Sequence, residues 1–241
     1  MDLFNEWVDF PSFIQQLESK GQVSRTFRRL EPARQQAIIN AILDEAFEKG
    51  PASLNIKEVA RKADVAVGSL YQYFPNRDGL LDFAVELCSL YMSSLFDMTR
   101  TYLAEMPLAD ALRAYLSVGI DWGFSEAGLV RFFGRAAYQG DPDLAERIVR
   151  PIATAMRKTI LEMLERAASR GEIDPDQDLE AAARLINGLT IVVGDSQLLP
   201  YLNTYFQITD ETVSSQRILD AVVPFILKGL SGMDSPPNPI N

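Results

Sequence analysis

The sequence predicts an all-α protein. Apolar residues recur at spacings of three and four along most of the chain, which is the period of an amphipathic helix. No segment shows the sustained polar–apolar alternation of a β-strand. Prolines and glycines interrupt the helical pattern where helices can end. A chain of 241 residues can hold one small and one larger domain, or one large helical domain.

Residues 1–31 form an apolar extension ahead of the first regular helix. Aromatic and aliphatic side chains crowd this segment, unlike a disordered tail. We expect a short helix near 12–19 that packs on the protein or on a second copy of it. Pro32 suits the start of the next helix, where its missing N–H costs nothing. Gly50-Pro51 ends that helix near residue 49.

The stretch 54–81 predicts two short helices joined by a tight turn. Apolar residues at helical spacing mark the first helix over 55–62, with Asn55 as its N-cap. A break at Ala63-Asp64 precedes the second helix, over 67–73. Two helices arranged in this way suit insertion of the second into the major groove of DNA.

A long helix over 77–104 follows and connects this unit to the remainder of the chain. Its apolar residues fall on one face, and Cys88 among them is expected to be a buried thiol. Residues 233–241 are rich in proline and are expected to be disordered. Proline and glycine punctuation predicts the remaining helices over 108–123, 127–138, 142–170, 177–198 and 211–230.

Residues 68–74 read GSLYQYF, and Arg77 follows at the start of the long helix. This order resembles the tetracycline-repressor-like (TetR) family of transcriptional regulators over residues 32–81. The resemblance implies a three-helix DNA-binding domain at 32–78 and an effector-binding and dimerisation domain at 79–232. It also implies a homodimer that binds double-stranded DNA, without cofactor or metal, and that responds to a small-molecule effector.

The resemblance also implies which side chains meet DNA. Gln72 can pair with adenine, or instead contact phosphate or solvent. Tyr71 is either a phosphate contact or a core residue with an exposed hydroxyl. Lys57 belongs to either a solvated face or the phosphate contacts, as do Arg61 and Lys62. The residues expected on or beside the recognition helix are Ala66, Val67, Gly68, Ser69, Tyr71, Gln72 and Tyr73.

Physical chemistry assigns roles to several of these positions. Ala66 and Val67 can touch a thymine methyl group, whereas Ser69 and Tyr73 can bond phosphate oxygens. Gly68 lets the backbone approach DNA closely. Arg77 opposes the dipole of its own helix, so it is expected to clamp a phosphate. Asn55 can expose helix N–H groups to a phosphate.

The basic segment Ser24–Arg29 has two interpretations. It is either a solvated linker or an arm that touches phosphate or the minor groove.

The last two helices correspond to the family's dimerisation helices. Their apolar side chains either form a four-helix interface or belong to the intramolecular core. The interface candidates are Leu185, Leu189, Val192, Val222, Phe225 and Ile226.

The middle helices are expected to enclose an effector pocket, because ligand sites are mostly apolar with a few polar anchors. Ordinary core packing is the alternative for each of these aromatic and methionine side chains. The pocket candidates are Tyr115, Trp122, Phe132, Phe133, Tyr138 and Met156.

Charge is distributed unevenly along the chain. The net charge is −10, yet residues 20–80 contain ten Lys/Arg and seven Asp/Glu, a net charge of +3. Residues 81–241 contain thirteen and twenty-two, a net charge of −9. The positive segment is the one that contains the helix-turn-helix, as expected if that end meets phosphate.

Composition argues against catalysis and membranes. The chain has no histidine, which excludes Ser-His, Cys-His and HExxH chemistry. An acidic N-terminus and the lack of an 18–20-residue apolar run favour a cytoplasmic location without membrane contact. The resemblance to the TetR family therefore implies a dimeric repressor that an apolar effector releases from a palindromic operator. The alternatives are an activator or architectural DNA-binding protein, a helical enzyme, or a purely structural protein.

Overall fold

The structure, a computed structural model, describes residues 10–125 and 127–231, and for residues 118–125 and 127 the backbone alone. Every regular element in these ranges is helical, so the predicted all-α fold is confirmed. The helices are α1 (Phe10–Ser19), α2 (Arg25–Arg28), α3 (Pro32–Lys49), α4 (Ile56–Lys62), α5 (Val67–Tyr73), α6 (Arg77–Glu105), α7 (Leu108–Ser125), α8 (Ala127–Gln139), α9 (Pro142–Leu144), α10 (Arg150–Ser169), α11 (Leu179–Leu198), α12 (Pro200–Phe206) and α13 (Ser215–Leu230).

Most helix boundaries agree with the sequence prediction. The α5 helix spans the predicted 67–73, and α6 ends at Glu105 instead of 104. A 3₁₀ turn, Pro51–Ser53, follows α3, and a π-helical turn, Ala145–Val149, joins α9 to α10. The predicted helix over 142–170 is therefore three consecutive helical segments.

The sequence pattern does not predict α2 or α12. The α2 helix has one turn, and it begins because the Ser24 hydroxyl accepts a hydrogen bond from Phe27 N at 3.3 Å. At α12, Pro200 looks like an interruption. Proline at the first helical position loses no hydrogen bond, however, so it starts this helix directly after α11.

The chain divides into two compact units. The first runs through Leu95 and resumes with Gly123–Ala153. Within it, α3 packs against α4 and α8, and α5 packs against α2 and α4. Phe27, Phe74 and Phe83 are buried together, with ring centroids 5.1 to 5.5 Å apart. This aromatic centre lies directly behind α5.

Residues 10–31 are an integral part of the first unit. In α1, Ile14 and Leu17 are buried, so the predicted N-terminal helix is confirmed and packs on its own chain. Gln35 Nε2 donates to the carbonyl oxygens of Phe27, Arg28 and Leu30, at 3.1, 2.9 and 3.3 Å. These bonds hold the end of α2 and the turn after it against α3. Residues 1–9 and the tail 233–241 lie outside the described residues.

The second unit comprises Phe96–Trp122 and the chain from Thr154 onward. Its core joins α7, α10, α11 and α13 through buried aliphatic side chains, among them Leu112, Leu164, Ile186 and Val223. The α11 helix packs against both α12 and α13.

A polar corner closes the connection between α6 and α7. Arg170 donates to Ala104 O at 2.8 Å and to Met106 O at 2.7 Å, and Glu172 Oε2 accepts from Leu108 N at 2.6 Å. One side chain therefore satisfies carbonyls at the end of α6, and the other satisfies an N–H at the start of α7.

The α6 helix departs from the expectation that no segment could cross a membrane. An 18-residue window of it has a mean hydropathy of 1.3, so length and composition alone would permit a span. Within the protein, 56% of that window is buried. An apolar helix of this kind is what a folded core requires, and Cys88 within it is buried as expected. Burial raises the pKa of the Cys88 thiol, which makes it a poor nucleophile.

The compact units cut the chain differently from the domains expected from the sequence. The predicted boundary between residues 78 and 79 stays a prediction. In the structure, the part of α6 up to Leu95 and the segment Gly123–Ala153 group with the N-terminal helices.

Candidate nucleic-acid interface

The turn between α4 and α5 is held by both backbone and side-chain bonds. Asp64 adopts a left-handed conformation, with φ of 51°, which aspartate tolerates better than most residues. Val65 N donates to Ala60 O at 3.0 Å, and Arg34 Nη2 donates to Asp64 O at 2.8 Å. The angle between the two helices is therefore tied to α3 as well as to the turn itself.

The α5 helix has one buried and one exposed face. Leu70 is buried and Tyr73 nearly so, which anchors the helix on the first unit. Gly68, Tyr71 and Gln72 are exposed and lie at i, i+3 and i+4, so they share one face. This is the face that the sequence predicts to enter the major groove.

The structure separates the two interpretations of Tyr71. The residue is 53% exposed, so it is not a core side chain with only a hydroxyl at the surface.

At Gly68, an added Cβ would meet no atom within 4 Å, so the space above this residue is open. Ala66 is the exposed N-cap residue of α5, and Val67 and Ser69 are half-buried at its first turn.

Tyr73 lies deeper than the sequence suggests. Its ring meets Phe27 edge-on at a centroid distance of 5.9 Å, and its carbonyl accepts from Ser24 N at 2.8 Å. Tyr73 therefore joins α5 to α2, while its predicted phosphate bond stays a prediction.

Arg77 also has a structural partner. Its Nε donates to Leu54 O at 2.7 Å, and its Nη2 donates to Ala52 O. These bonds tie the start of α6 to the loop before α4, and Asp78 lies 3.6 Å away. The predicted phosphate clamp stays a prediction, and a phosphate would compete with these carbonyls.

The cations of α4 have three different environments. Lys57 is exposed and has no ion pair within the described ranges, and Arg61 pairs with Glu58 at 2.9 Å on the surface. Lys62 is largely buried, with Nζ 3.1 Å from Glu45 Oε2 and 2.9 Å from Glu48 Oε2. Lys62 is thus neither of the alternatives drawn from the sequence, because it ties α4 to α3. At the start of α4, Asn55 Oδ1 accepts from Lys57 N at 3.0 Å, as predicted for an N-cap.

These charges alter the ionisation of Lys62. Burial by itself lowers the pKa of the ammonium, but hydrogen bonds and charge from Glu48 and Glu45 outweigh it, so the pKa lies above its usual value. Lys62 therefore stays charged, and its charge is balanced by the carboxylates of α3.

The dimerisation candidates divide into exposed and buried residues. Leu185 on α11 and Phe225 on α13 are 75% and 70% exposed. Val222 and Ile226 are buried in the core of the second unit, and Leu189 packs against that core. Val192 is half-buried.

The effector-pocket candidates are divided between the units. Phe132 is buried in the first unit, where Phe133 is half-buried and Tyr138 exposed. Tyr115 is buried and Met156 half-buried in the second unit. The side chain of Trp122 lies outside the described residues.

Tyr115 has the most unusual polar group among these candidates. Its hydroxyl is buried without a geometrically adequate hydrogen bond to any described residue. Burial raises the pKa of this phenol, and Thr190, the neighbouring polar side chain, offsets only part of that rise. The Thr190 hydroxyl instead donates to Asn187 O at 2.9 Å.

Comparison with known proteins gives two matches to family profiles. The profile described as "Bacterial regulatory proteins, tetR family" matches residues 38–83. The profile described as "Tetracyclin repressor-like, C-terminal domain" matches residues 98–192. The first match covers most of α3, all of α4 and α5, and the start of α6.

Curated relatives and solved structures agree with these profiles. Transcriptional regulator AcuR from Cereibacter sphaeroides is 28% identical over 152 residues, 61% of this chain and 68% of that protein. Transcriptional repressor KstR from Mycolicibacterium smegmatis is 27% identical over 180 residues, 64% of this chain and 87% of that protein. The regulator FadR from Bacillus subtilis, solved with stearoyl-CoA, has a TM-score of 0.57 at 20% identity, covering 78% of this chain and 97% of FadR. The helix-turn-helix geometry, both profiles and these relatives lead to one conclusion: the chain belongs to the tetR family of bacterial regulatory proteins.

Proposed function

We propose that this protein is a dimeric repressor that binds a palindromic operator and leaves it when a small molecule binds. The main support for DNA recognition is the exposed face of α5. Gly68 gives open space for close approach, and Tyr71 and Gln72 present hydrogen-bonding groups beside it. Buried Leu70 holds this face in place from behind, so its geometry is set before DNA arrives.

Dimer formation is supported by apolar side chains that one protomer leaves in water. Leu185 and Phe225 lie on α11 and α13, two helices that pack against each other. Large exposed apolar groups mark interaction surfaces, and a second copy would cover them. Two protomers would then read half-sites about 34–36 Å apart, or a multiple of that distance.

The effector site is proposed to include Tyr115. The Tyr115 hydroxyl is buried beside Thr190 without a well-formed hydrogen bond, so a ligand atom that bonds it would stabilise the bound state. Neighbouring apolar side chains favour an apolar ligand with one polar group. Acyl thioesters are the first probes to use, because stearoyl-CoA is bound in the FadR structure.

Release of DNA is proposed to be a shift between two conformations. An effector that binds more tightly to a conformer with the wrong spacing between recognition helices disfavours the DNA-bound state. The α6 helix is the candidate connection, because residues 77–95 belong to the first unit and residues 96–105 to the second. A few kcal/mol of differential affinity is enough to switch occupancy.

The proposed function is recognition without catalysis. The relatives are regulators, and the chain has no histidine to act as general base or metal ligand. Action on chromosomal DNA implies a cytoplasmic location.

Selection of duplexes from a random library by the purified protein, at one stated salt concentration, tests this proposal. We expect enrichment of a palindrome with two half-sites. A reporter carrying that site then distinguishes repression from activation. A single unpaired half-site, or no enrichment at low and moderate salt by protein shown by mass analysis to be free of co-purified ligand, would contradict the proposal.

Tyr115→Phe tests the effector site. We expect stearoyl-CoA, or another acyl thioester, to raise the melting temperature of the unmodified protein and to do so less in the variant. Without ligand, the variant should be at least as stable, because the lost hydroxyl has no adequate partner among the described residues. An unchanged ligand-induced shift would remove Tyr115 from the site.

A further inference from the structure

The short helix α2 is attached to the C-terminal end of the recognition helix α5. Ser24 N donates to Tyr73 O at 2.8 Å, directly before α2 begins. Phe27 on α2 is fully buried and meets the ring of Tyr73. The basic segment that the sequence leaves as either linker or arm is therefore folded and anchored.

The geometry of α2 directs two arginines away from the protein. Arg25 is the first residue of α2, and Arg29 is its C-cap residue and keeps a right-handed helical conformation. The two are four residues apart, so they share one side, and Phe27 between them lies on the other. Both arginines are exposed, whereas Arg28 forms an ion pair with Glu18. The buried face of α2 thus fixes an outward pair of cations next to α5.

These two guanidinium groups are not neutralised by the protein. Neither Arg25 nor Arg29 has an ion pair or side-chain hydrogen bond within residues 10–125 and 127–231. Most other arginines of the chain are paired with carboxylates, for example Arg61, Arg113 and Arg150. Because no ion pair with a carboxylate has to be broken first, such a guanidinium group can bind a phosphate directly.

The backbone beneath Arg25 and Arg29 is already ordered. The Ser24 cap fixes the start of α2, and Gln35 bonds three carbonyls at its end. Little chain entropy remains to be lost on binding, which favours a preorganised contact over a solvated linker. The two guanidinium groups project from a folded helix and not from an extended arm, which favours contact with the sugar-phosphate backbone over insertion into the minor groove.

We infer that Arg25 and Arg29 form a phosphate-binding patch that extends each protomer's footprint beyond its helix-turn-helix. This inference rests on the proposed function, because it requires that α5 meets DNA. The patch reads no bases. It adds sequence-independent affinity and fixes the orientation of α5 in the groove.

The test compares salt dependence of DNA binding by the full chain and by Arg25→Ala/Arg29→Ala. Each lost phosphate contact lowers the slope of log K against log [salt] by about 0.9, so the double variant should lose about 1.8 per half-site. Affinity should fall by the same factor on the selected duplex and on a shuffled one. Arg25→Lys/Arg29→Lys should retain most of the slope.

Arg113→Ala/Lys158→Ala is the matched control. It removes two exposed cations of the second unit, on α7 and α10, neither of which lies on the helices of the proposed dimer interface. Its slope should stay close to that of the unmodified chain. A slope for the arginine variant equal to that of the control would overturn the inference alone. Lack of DNA binding by the unmodified, ligand-free chain would overturn the proposed function, and the inference with it.

Discussion

Gln72 is the side chain on the exposed face of α5 best able to read a base. Its amide can donate and accept at once, as adenine requires in the major groove. We expect Gln72→Ala to weaken binding to the selected duplex by about 1–3 kcal/mol and to relax the preference at one base pair of each half-site. Competition binding with single-substitution duplexes measures both effects.

A glutamine outside the interface provides the control for Gln72. Gln216 lies on α13, where its amide donates to Asp220 Oδ1 at 2.9 Å. Gln216→Ala should leave every duplex affinity unchanged. Uniform weakening of all duplexes by Gln72→Ala would assign Gln72 to phosphate instead of a base.

Lys62 contributes to the stability of the helix-turn-helix. Lys62→Met leaves Glu45, which is 1% exposed, without its ammonium partner, so we expect a loss of about 3 kcal/mol in the free energy of unfolding. Urea titration at neutral pH measures it. Adding Glu45→Gln should recover part of the loss, because the uncompensated charge disappears.

Arg61→Ala is the surface comparison for Lys62. Arg61 pairs with Glu58 in water, so its loss should cost less than about 1 kcal/mol. If Lys62→Met cost no more than Arg61→Ala, the buried pair would not stabilise the fold as described.

At the scale of elements, the corner between α6 and α7 depends on one ionised carboxylate. Burial by itself raises the pKa of Glu172, but the hydrogen bond from Leu108 N and the nearby Arg170 outweigh it, so the pKa lies below its ordinary value of 4.5. A carboxylate whose pKa is lowered by folding stabilises the fold at every pH above its ordinary pKa. This stabilisation is lost as the pH falls through the pKa of the folded state.

Glu172→Gln should therefore lower the melting temperature at pH 7. The difference from the unmodified protein should shrink as the pH falls below 4.5, because Glu172 then becomes protonated. Glu165→Gln removes an exposed carboxylate of α10 and should change stability by less than about 0.5 kcal/mol. A difference for Glu172→Gln that is constant from pH 7 to pH 3 would exclude a role for the charge.

At the scale of the whole molecule, α11 and α13 are expected to join two protomers. Phe225→Glu places a charge in the proposed interface twice per dimer. Loss of two buried phenyl groups weakens association by about 3 kcal/mol or more, which raises the dissociation constant of the dimer at least about a hundredfold. Sedimentation should show a monomer at concentrations where the unmodified protein is a dimer, and binding to the two-half-site duplex should fall accordingly.

Tyr102→Glu is the control for the dimer variant. Tyr102 lies on α6 and, like Phe225, is 70% exposed. The same charge at that position should leave the dimer intact. Dissociation by Tyr102→Glu and not by Phe225→Glu would place the interface on a different surface.

Local sequence was sufficient for most of the helices, although not for α2 or α12, and for the position of α5. Periodic apolar residues and caps such as Asn55 depend on neighbours within one or two turns, which is the range that a sequence pattern records. The order GSLYQYF was likewise sufficient to suggest the family, because a resemblance between consecutive residues can be seen without any tertiary contact.

Only the tertiary structure decided which polar side chains are free to act. Lys57 and Lys62 lie five residues apart and look alike in the sequence, yet Lys62 forms ion pairs with Glu45 and Glu48 of α3. Arg25 and Arg29 look like part of a linker, yet burial of Phe27 against α5 fixes them at the surface. The sequence by itself determined the all-α class, the helix-turn-helix and the family, because these follow from local periodicity and order. The availability of each charge depends on partners distant in the chain, and folding alone brings those partners together.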